Sequence, residues 1–567
     1  MGKINGAQLL VKALKAEGIT HVFGLAGVGI FPIFDACLTE NLRIIDVRHE
    51  TAGVFMAGAT ARVTGEPAVC LVTEGPGHAN AIAGLTTMFA EDTPVVLISG
   101  CAETENWGRG AIQEIPQVEM AAPVAKWAAM VPHVRRIPEM LAMAFRIARS
   151  GQPGPVHLTV PIDAFDQEVE EASVPPYEPA RRRPSGRSTA EPRLIREAVE
   201  CLASATRPAI VAGIGARWTC AGELLQAFIE STHIPLFTVE LARGIVSDDH
   251  PLCLGAGYPA ANPTASKLRE ADAVLILGER LDFRFGFGEA FGAAAQLIHA
   301  YPNAAEIGRN RPVRVGIVAD SGAVIEQMLE EAKGLMWSER PWVKELREDR
   351  AKQRAHFEAL AASDQSPLHP LRVAKEVAAF IRDEDIVVLD GADFAAWARL
   401  LIKSTRPGHT LTHGRLGMIG TGIPFGVAAK LARPDARVIV FVGDGSIGFH
   451  LMEFDTAIRH GLPIVVVVGN DAAWGVEQHF QRALYGPDRL VATTLRRSRY
   501  DQMVQALGGY GEYVEHPKDL PKALERAFAA RVPACVNVAT ELLLSPSAEA
   551  FCQYLVRRRA HVRGEAA

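Results

Sequence analysis

Short apolar runs recur along this chain, and amphipathic segments separate them. HVFGL, IIDVR, AVCLVT and PVVLISG come first; AIVAG, PLFTV, AVLILG and VRVGIV follow; IVVLDG, VIVFVGDG, PIVVVVGN and ACVNVAT come last. Runs this short and β-branched, without polar alternation, are strands buried on both faces, the mark of parallel sheets. Strands alternating with helices build α/β domains whose right-handed crossovers set the carboxyl ends of neighbouring strands side by side. The expected fold is therefore α/β, with three open, mostly parallel α/β domains. Ligands should be sought beyond the carboxyl ends of their strands.

With 567 residues, 48% of them hydrophobic, the chain is long enough for several cores. ASVPPYEPARRRPSGRSTAEPR, residues 172–193, is rich in Pro, Arg and Ser, lacks apolar periodicity and reads as a linker. A weaker break is the charged helical stretch from Trp337 to Ala362, followed by SDQSPLHP. The expected domains are residues 1–172, 193–345 and 366–545, with a basic tail at 546–567. A net charge of −6 gives no general signal for nucleic acid or an anionic membrane. Eight scattered cysteines without a CxxC pair support neither a zinc site nor a disulfide framework. The opening MGKINGAQLLVKALKAEG reads as an amphipathic helix, not a signal peptide, and no apolar run reaches membrane-spanning length. A cytoplasmic protein with no nucleic-acid or membrane partner is expected.

The most informative segment is GDGSIGFHLMEFDTAIRHGLPIVVVVGNDAAWG, residues 443–475. Asp444 follows the apolar run Val438–Val442, and Asn470-Asp471 follows Ile464–Val468, with helical spacing between. In a βαβ unit the two carboxylates would meet outside the sheet edge. The glycines around Asp444 allow a tight turn, and Gly445 and Ser446 open a helix whose N–H groups face an anion. Two hard oxygen ligands at such a place point to Mg²⁺ bound together with a phosphate. An Asp-Gly turn and an Asn cap would explain GDG alone; the second motif in register argues against that reading. In the first block, IIDVRHE places Glu50 just past a buried strand, where a lone carboxylate reads as a cap or surface residue.

This spacing resembles the signature of thiamine-diphosphate (ThDP)-dependent enzymes: GDG, a helix and strand, then a paired Asn. The resemblance implies Mg²⁺ held by Asp444, Asp471 and the carbonyl of Ala473. Asp471 departs from the usual Asn and adds a negative charge beside the diphosphate. It also implies that Glu50, in RHE, is the catalytic carboxylate at the aminopyrimidine N1′, promoting proton removal from thiazolium C2. LVTEGPGHANAIAG (71–84) is similar to the Gly-Pro-Gly turn that lies with an Asn against the pyrimidine, here Pro76 and Asn80. IQEIPQVEMAAPVAKWA resembles a segment whose Gln113 faces the substrate. LDGADF places Gly391, Ala392 and Asp393 beside the diphosphate. In THGRLGMIGTGIPFG (412–426), Ile419 is the wedge under the bent cofactor and the Gly417 carbonyl takes the 4′-amino hydrogen. Gly445, Ser446, Trp474 and Gly475 complete the implied cofactor contacts.

The middle block, RPAIVAGIG and ADAVLILGERLDFRFG, looks like the acetolactate-synthase middle domain, where a similar stretch helps hold FAD. It has no full GxGxxG. An inert domain is expected ahead of one holding FAD or ADP.

Within the family the wording is most similar to benzaldehyde lyase (APxxKWA, HGxLG, EFDT, a WG followed by HFQ), with acetolactate synthases and 2-hydroxyacyl-CoA lyases next. Benzaldehyde lyase has a catalytic histidine in the loop after the first strand, where this chain has Gly29. Val28 and Gly29 are expected to make an apolar, roomy pocket, joined by His413 and Val476. His78, His413 and His479 are candidates for proton shuttling, each with a structural alternative. The basic tail reads either as a solvated end or as a lid whose Arg557, Arg558, Arg559 and Arg563 hold coenzyme A phosphates. The resemblance implies a ThDP- and Mg²⁺-dependent carbon–carbon lyase or carboligase for a small-molecule carbonyl substrate, of the 2-hydroxyacyl-CoA lyase or acyloin type. An acyl-CoA is one such substrate, and an acetolactate-synthase-like carboligase is the alternative. In relatives the two ends of the cofactor are held by two chains, so a homodimer is required and a homotetramer expected. A non-catalytic regulatory paralogue conflicts with the joint presence of Glu50, Asp444, Asp471 and Ile419. A nicotinamide enzyme lacks its glycine fingerprint.

Overall fold

The computed structural model describes residues 2–184 and 186–563. Residue 1 of the expected first domain, Ser185 of the expected linker and residues 564–567 of the tail lie outside the described residues. Three six-stranded sheets, parallel throughout, carry the fold, as the apolar runs require. The chain divides into two compact units.

The first unit comprises residues 1–186 together with 413–434 and 450–462. Its sheet runs in the order Arg43–Asp46, His21–Gly24, Ala68–Val72, Val95–Cys101, Val156–Pro161, Trp127–Met130. The N-terminal helix starts later than its sequence implies. Lys3–Asn5 forms an antiparallel pair with Glu168–Glu170, and the helix Gly6–Ala16 begins on a capping box of Asn5 and Gln8. The helix Glu50–Thr64 is buried on all sides until its last residue. Its small side chains admit a second apolar helix, Gly422–Ala432, against it, with Phe55 edge-on to Phe425 at 6.1 Å and the Arg62 guanidinium 5.1 Å from the Phe425 ring.

The second unit comprises residues 187–412, 435–449 and 463–567 and contains two sheets. One runs Cys253–Ala256, Leu236–Thr238, Pro208–Ala212, Ala273–Leu277, Gln296–Ala300, Val315–Ile317. Its direction of winding reverses between Pro208–Ala212 and Ala273–Leu277, the switch point where such sheets hold ligands. The other runs Thr410–Thr412, Ile386–Asp390, Val438–Gly443, Val465–Asn470, Ala534–Ala539, Tyr510–Val514. The basic tail is a helix, Pro546–Arg563, docked on the helix Gly475–Tyr485. Phe551 packs on Phe480 at 5.6 Å, and the Arg559 guanidinium lies 4.3 Å from the Tyr485 ring while donating to the Leu484 carbonyl. Most side chains of the helix Pro546–Arg563 are exposed, and among them only Cys552 is buried. Among the described residues no helix is long and apolar enough to cross a membrane.

His78 is not at a pocket. It is fully buried, its Nδ1 is 2.9 Å from the Ser99 hydroxyl, and its ring lies 4.6 Å from that of His157, itself fully buried. Burial lowers the His78 pKa to about 4 and holds that of His157 well below the usual range. The folded protein therefore refuses protons that the unfolded chain accepts near pH 6.5. The stabilising effect of neutral His78 is complete above that pH and is lost as pH falls toward 4. For His78 alone the loss is on the order of 3 kcal/mol. Thermal unfolding measured from pH 7 to pH 4 should show a steep fall in Tm, and His78→Asn should make that fall shallower.

Candidate functional site

The Val438–Gly443 and Val465–Asn470 strands pair in register, Gly443 opposite Gly469, so the turns that follow them leave the sheet level with each other. Asp444 begins the helix Asp444–His450. Asp471 follows the second strand, and the loop then passes through Ala472 at φ 61°, a conformation that non-glycine residues seldom adopt. The two carboxyl groups come within hydrogen-bonding distance of each other. Both pKa values are raised, Asp444 chiefly by burial and Asp471 by burial and the Asp444 charge. One Asp444 oxygen accepts the Gly445 N–H at 3.0 Å; the other is buried with no well-directed donor. Asp471 accepts the Ala473 N–H at 3.1 Å, and the Tyr500 hydroxyl donates to the Asp444 carbonyl at 3.0 Å.

The neighbouring strand, Ile386–Asp390, brings Gly391, Ala392 and Asp393 to the same edge. Asp393 accepts the Ser545 N–H at 2.9 Å through one oxygen, and its other oxygen is buried and unpartnered. Burial pushes its pKa up to about 6. Gly391 lies against the Ser446 hydroxyl, Trp474 stacks over Gly445, and Gly475 faces Asp471 and Asp393, each too close for a side chain without rearrangement. Val476 is half-buried on the helix Gly475–Tyr485. Two buried carboxylates, each with one oxygen lacking a well-directed donor, and the half-buried Asp471, beside helix starts rich in N–H donors, form an edge that a hard divalent cation and an anion would neutralise together. Among the described residues no group of three or more His, Cys, Asp or Glu side chains forms a metal cage. A cation here would need backbone and ligand oxygens besides the carboxylates.

The other predicted residues lie in the first unit. Glu50 is the first residue of its helix, 7% exposed, and accepts the Asn80 amide N–H at 3.0 Å. Pro76 opens the helix Pro76–Ala90 after Gly75, whose φ of 55° and ψ of −109° suit glycine. Gln113 is exposed, has a φ of 58°, and its backbone rests on Gly75. Gly417 is exposed with a φ of 72°, and Ile419 is half-buried. His413 Nδ1 is 2.9 Å from the Gly414 carbonyl oxygen. His479, in the second unit, is half-buried, and burial lowers its pKa.

Val28 is 61% exposed, yet the space beside Gly29 is not open. The Glu74 carboxylate fills it, and a Cβ on Gly29 would lie 1.7 Å from a Glu74 oxygen. The apolar, roomy surroundings expected at Val28 and Gly29 are corrected: a carboxylate occupies the space beside Gly29.

Three further residues, assigned no role from sequence, brace these loops. Gln117, buried, accepts the Gly75 N–H at 3.2 Å and donates to the Gly100 carbonyl at 2.9 Å, so it holds the Gly-Pro-Gly turn on the sheet. Glu91, buried, accepts the N–H groups of Arg415 at 2.7 Å and Leu416 at 3.2 Å, so it anchors the loop of Gly417 and Ile419. Glu453, buried, accepts the Arg48 N–H at 3.0 Å and the Thr456 hydroxyl at 2.7 Å, fixing the turn that leads into Glu50. Burial pushes the Glu453 pKa up to about 7. Gln117 and Glu453 lie in segments whose wording resembles the family's, IQEIPQVEMAAPVAKWA and EFDT, but no local pattern in them reveals a bracing role.

Three parallel sheets with ligand-competent edges define a multidomain α/β protein. Comparison with known proteins sharpens this. Residues 4–120 match the N-terminal TPP binding domain of thiamine pyrophosphate enzymes, 195–328 their central domain, and 390–538 their C-terminal TPP binding domain. The acetolactate synthase large subunit IlvG of Mycobacterium tuberculosis is 37% identical over 539 residues, 95% of this chain and 96% of that protein. 2-Hydroxyacyl-CoA lyase 2 of Homo sapiens is 32% identical over 543 residues, 89% of this chain and 84% of that protein. 2-Hydroxyacyl-CoA lyase of Oryza sativa subsp. japonica is 30% identical, covering 94% and 95%. The chain belongs to the thiamine pyrophosphate enzyme family, and its TPP binding domains identify thiamine diphosphate as the cofactor.

The carboxylate edge generates a prediction. Asp444→Ala removes the carboxylate with the unpaired oxygen and should abolish Mg²⁺-dependent ThDP binding in calorimetry. Asp471→Asn keeps an oxygen ligand and relieves the repulsion from Asp444, so it should bind the cofactor at least as well as wild type.

Proposed function

We propose that the protein is a ThDP- and Mg²⁺-dependent carbon–carbon lyase or carboligase that cleaves or forms 2-hydroxy carbonyl compounds, of the 2-hydroxyacyl-CoA lyase or acyloin type. The observation that supports the Mg²⁺ reading is the pair of buried oxygens on Asp444 and Asp393 that lack a well-directed donor, beside an Asp471 whose ionisation burial and the Asp444 charge oppose. Asp444, Asp471 and the Ala473 carbonyl would hold the cation; Gly391, Ala392, Asp393, Gly445, Ser446, Trp474 and Gly475 would line the diphosphate. Pro76, Asn80, Gly417 and Ile419 would contact the rest of the cofactor. When bound, ThDP supplies an acidic ring carbon that becomes the nucleophile. Glu50 is buried, and the Asn80 amide directs one of its oxygens, which suits a carboxylate that holds a proton at a ring nitrogen. Gln113, Val28, Gly29, His413 and Val476 are assigned to the substrate side. The functional assembly is a homodimer or a tetramer built from it.

A feature of the middle sheet favours the lyase reading over a flavin-bearing acetolactate synthase. The switch-point crevice is filled by Glu279, 2% exposed, whose carboxylate lies where a Gly213 side chain would go. It accepts the Arg280 N–H at 2.8 Å and pairs with Arg284 at 2.7 Å. A carboxylate there repels a dinucleotide phosphate, and its arginine is already matched. The 37% identity to an acetolactate synthase keeps that carboligase as the second reading.

With ThDP and Mg²⁺, turnover of benzoin, a 2-hydroxyacyl-CoA and pyruvate, followed by mass spectrometry, decides between the two readings. Glu50→Gln should retain ThDP binding but lower the rate by about 10²–10⁴, the scale of a positioned acid–base group. Wild-type turnover in that variant would remove Glu50 from the mechanism.

The tail tests the coenzyme A branch. Arg559 is committed to Leu484 and Tyr485, which leaves Arg557 and Arg558 exposed on the same helix. Deletion of residues 551–567 should raise KM for an acyl-CoA by about tenfold or more, with benzoin turnover preserved and high salt acting in the same direction. Equal loss on both substrates would assign the helix to the structure of the site alone.

A further inference from the structure

Glu74 is a buried carboxylate, 5% exposed, in the turn that leads to Gly75 and Pro76. Its only hydrogen-bond partner among the described residues is the Thr73 hydroxyl, which donates to it at 2.5 Å. That hydroxyl in turn accepts the Gly29 N–H at 3.3 Å. None of the ion pairs among the described residues reaches Glu74. A charge buried with one neutral partner is costly and is replaced at little loss by an apolar side chain unless it has a task.

The loop from Gly27 to Ile30 is shaped around this group. A Cβ on Gly27 would lie 2.4 Å from Thr73 and one on Gly29 would lie 1.7 Å from Glu74, so the carboxylate occupies its position because residue 29 has no side chain. Thr73 also reaches the point where Glu50 arrives: the Cβ direction of Gly77 lies 2.9 Å from the Thr73 methyl and 3.4 Å from a Glu50 oxygen. Glu74, Thr73 and Glu50 are therefore contiguous on one side of the Gly-Pro-Gly turn. Val28 and Gln113 are exposed beside it. The field at this sheet edge is negative: burial, then Asp163, Glu74 and Glu114, push the Cys101 thiol up to about 12.

We infer that Glu74 is a specificity-determining carboxylate on the substrate side: it accepts a hydrogen bond from the hydroxyl of a neutral 2-hydroxy carbonyl substrate and repels substrates with a carboxylate next to the reacting carbon. This rests on the proposed assignment of Gly29 and Gln113 to that side. A like charge within hydrogen-bonding reach in a water-poor pocket is enough to disfavour a 2-oxo acid by about tenfold or more. A hydroxyl donor, by contrast, gives the carboxylate the second partner it lacks.

The test uses the full chain loaded with ThDP and Mg²⁺, as wild type, Glu74→Gln and Glu74→Ala. kcat/KM is measured for pyruvate and glyoxylate, and for acetoin, benzoin and a 2-hydroxyacyl-CoA. ThDP affinity and Tm serve as controls. Glu74→Gln keeps the shape, so ThDP affinity should stay at the wild-type value, while the ratio of carboxylate-bearing to neutral substrates should rise about tenfold or more, mainly through KM. Glu74→Ala should move the ratio the same way even if it lowers Tm. An unchanged ratio in both variants would overturn the inference while leaving the lyase reading intact. Absence of turnover by wild type on every probe would overturn that reading and the inference with it.

Discussion

The carboxylates of Asp393, Asp444 and Asp471 share one sheet edge, and their mutual repulsion is the constraint around which the second unit is arranged. Burial raises the energy of each charge, and among the described residues no cationic side chain is hydrogen-bonded to any of them. Such an arrangement persists only because the surrounding strands hold it and because backbone N–H groups take part of the charge. Glycines keep this edge closely packed: Gly391 lies against Ser446, Gly445 against Trp474 and Gly475 against Asp471, and a side chain at any of the three would force a rearrangement. A cation together with an anionic ligand would relieve this strain, and on the proposed reading the site would be more stable loaded than empty.

The first unit solves a different problem, the placement of turns that have no helix or strand to hold them. It does so with buried acceptors. Glu91 takes two N–H groups of the loop at 415–416, Glu453 takes that of Arg48, and Gln117 takes that of Gly75. Each bond gives a backbone donor a buried acceptor, and each also fixes the direction of the neighbouring segment. Glu50 is thus positioned from both sides, by Asn80 through its carboxylate and by Glu453 through the turn before it.

The fold was legible because both faces of every central strand are buried, which leaves uninterrupted apolar runs. Edge strands such as Trp127–Met130, Thr410–Thr412 and Tyr510–Val514 were not legible, since they are only partly buried and their composition is mixed. The approach of Asp444 to Asp471 was legible from two strand ends in register. The bracing roles of Gln117, Glu91 and Glu453 were not, because each depends on a partner far away in the chain or on a turn whose path no local pattern reveals. The tail was legible as basic but not as docked, since Phe551 and Tyr554 have helical spacing without a visible counterpart.

By itself, then, the sequence determined the parallel-sheet class, the two acidic turns, Glu50 at a strand end and the family to which they belong. Local periodicity and turn chemistry are written in neighbouring residues, and that is all these features require. Only the tertiary structure decided that Glu74 fills the space left by Gly29, that Glu279 fills the crevice of the middle sheet, and that His78 is a core residue. Occupied space depends on what the rest of the chain brings to it, and a glycine shows where a side chain is missing without showing which group has taken its place.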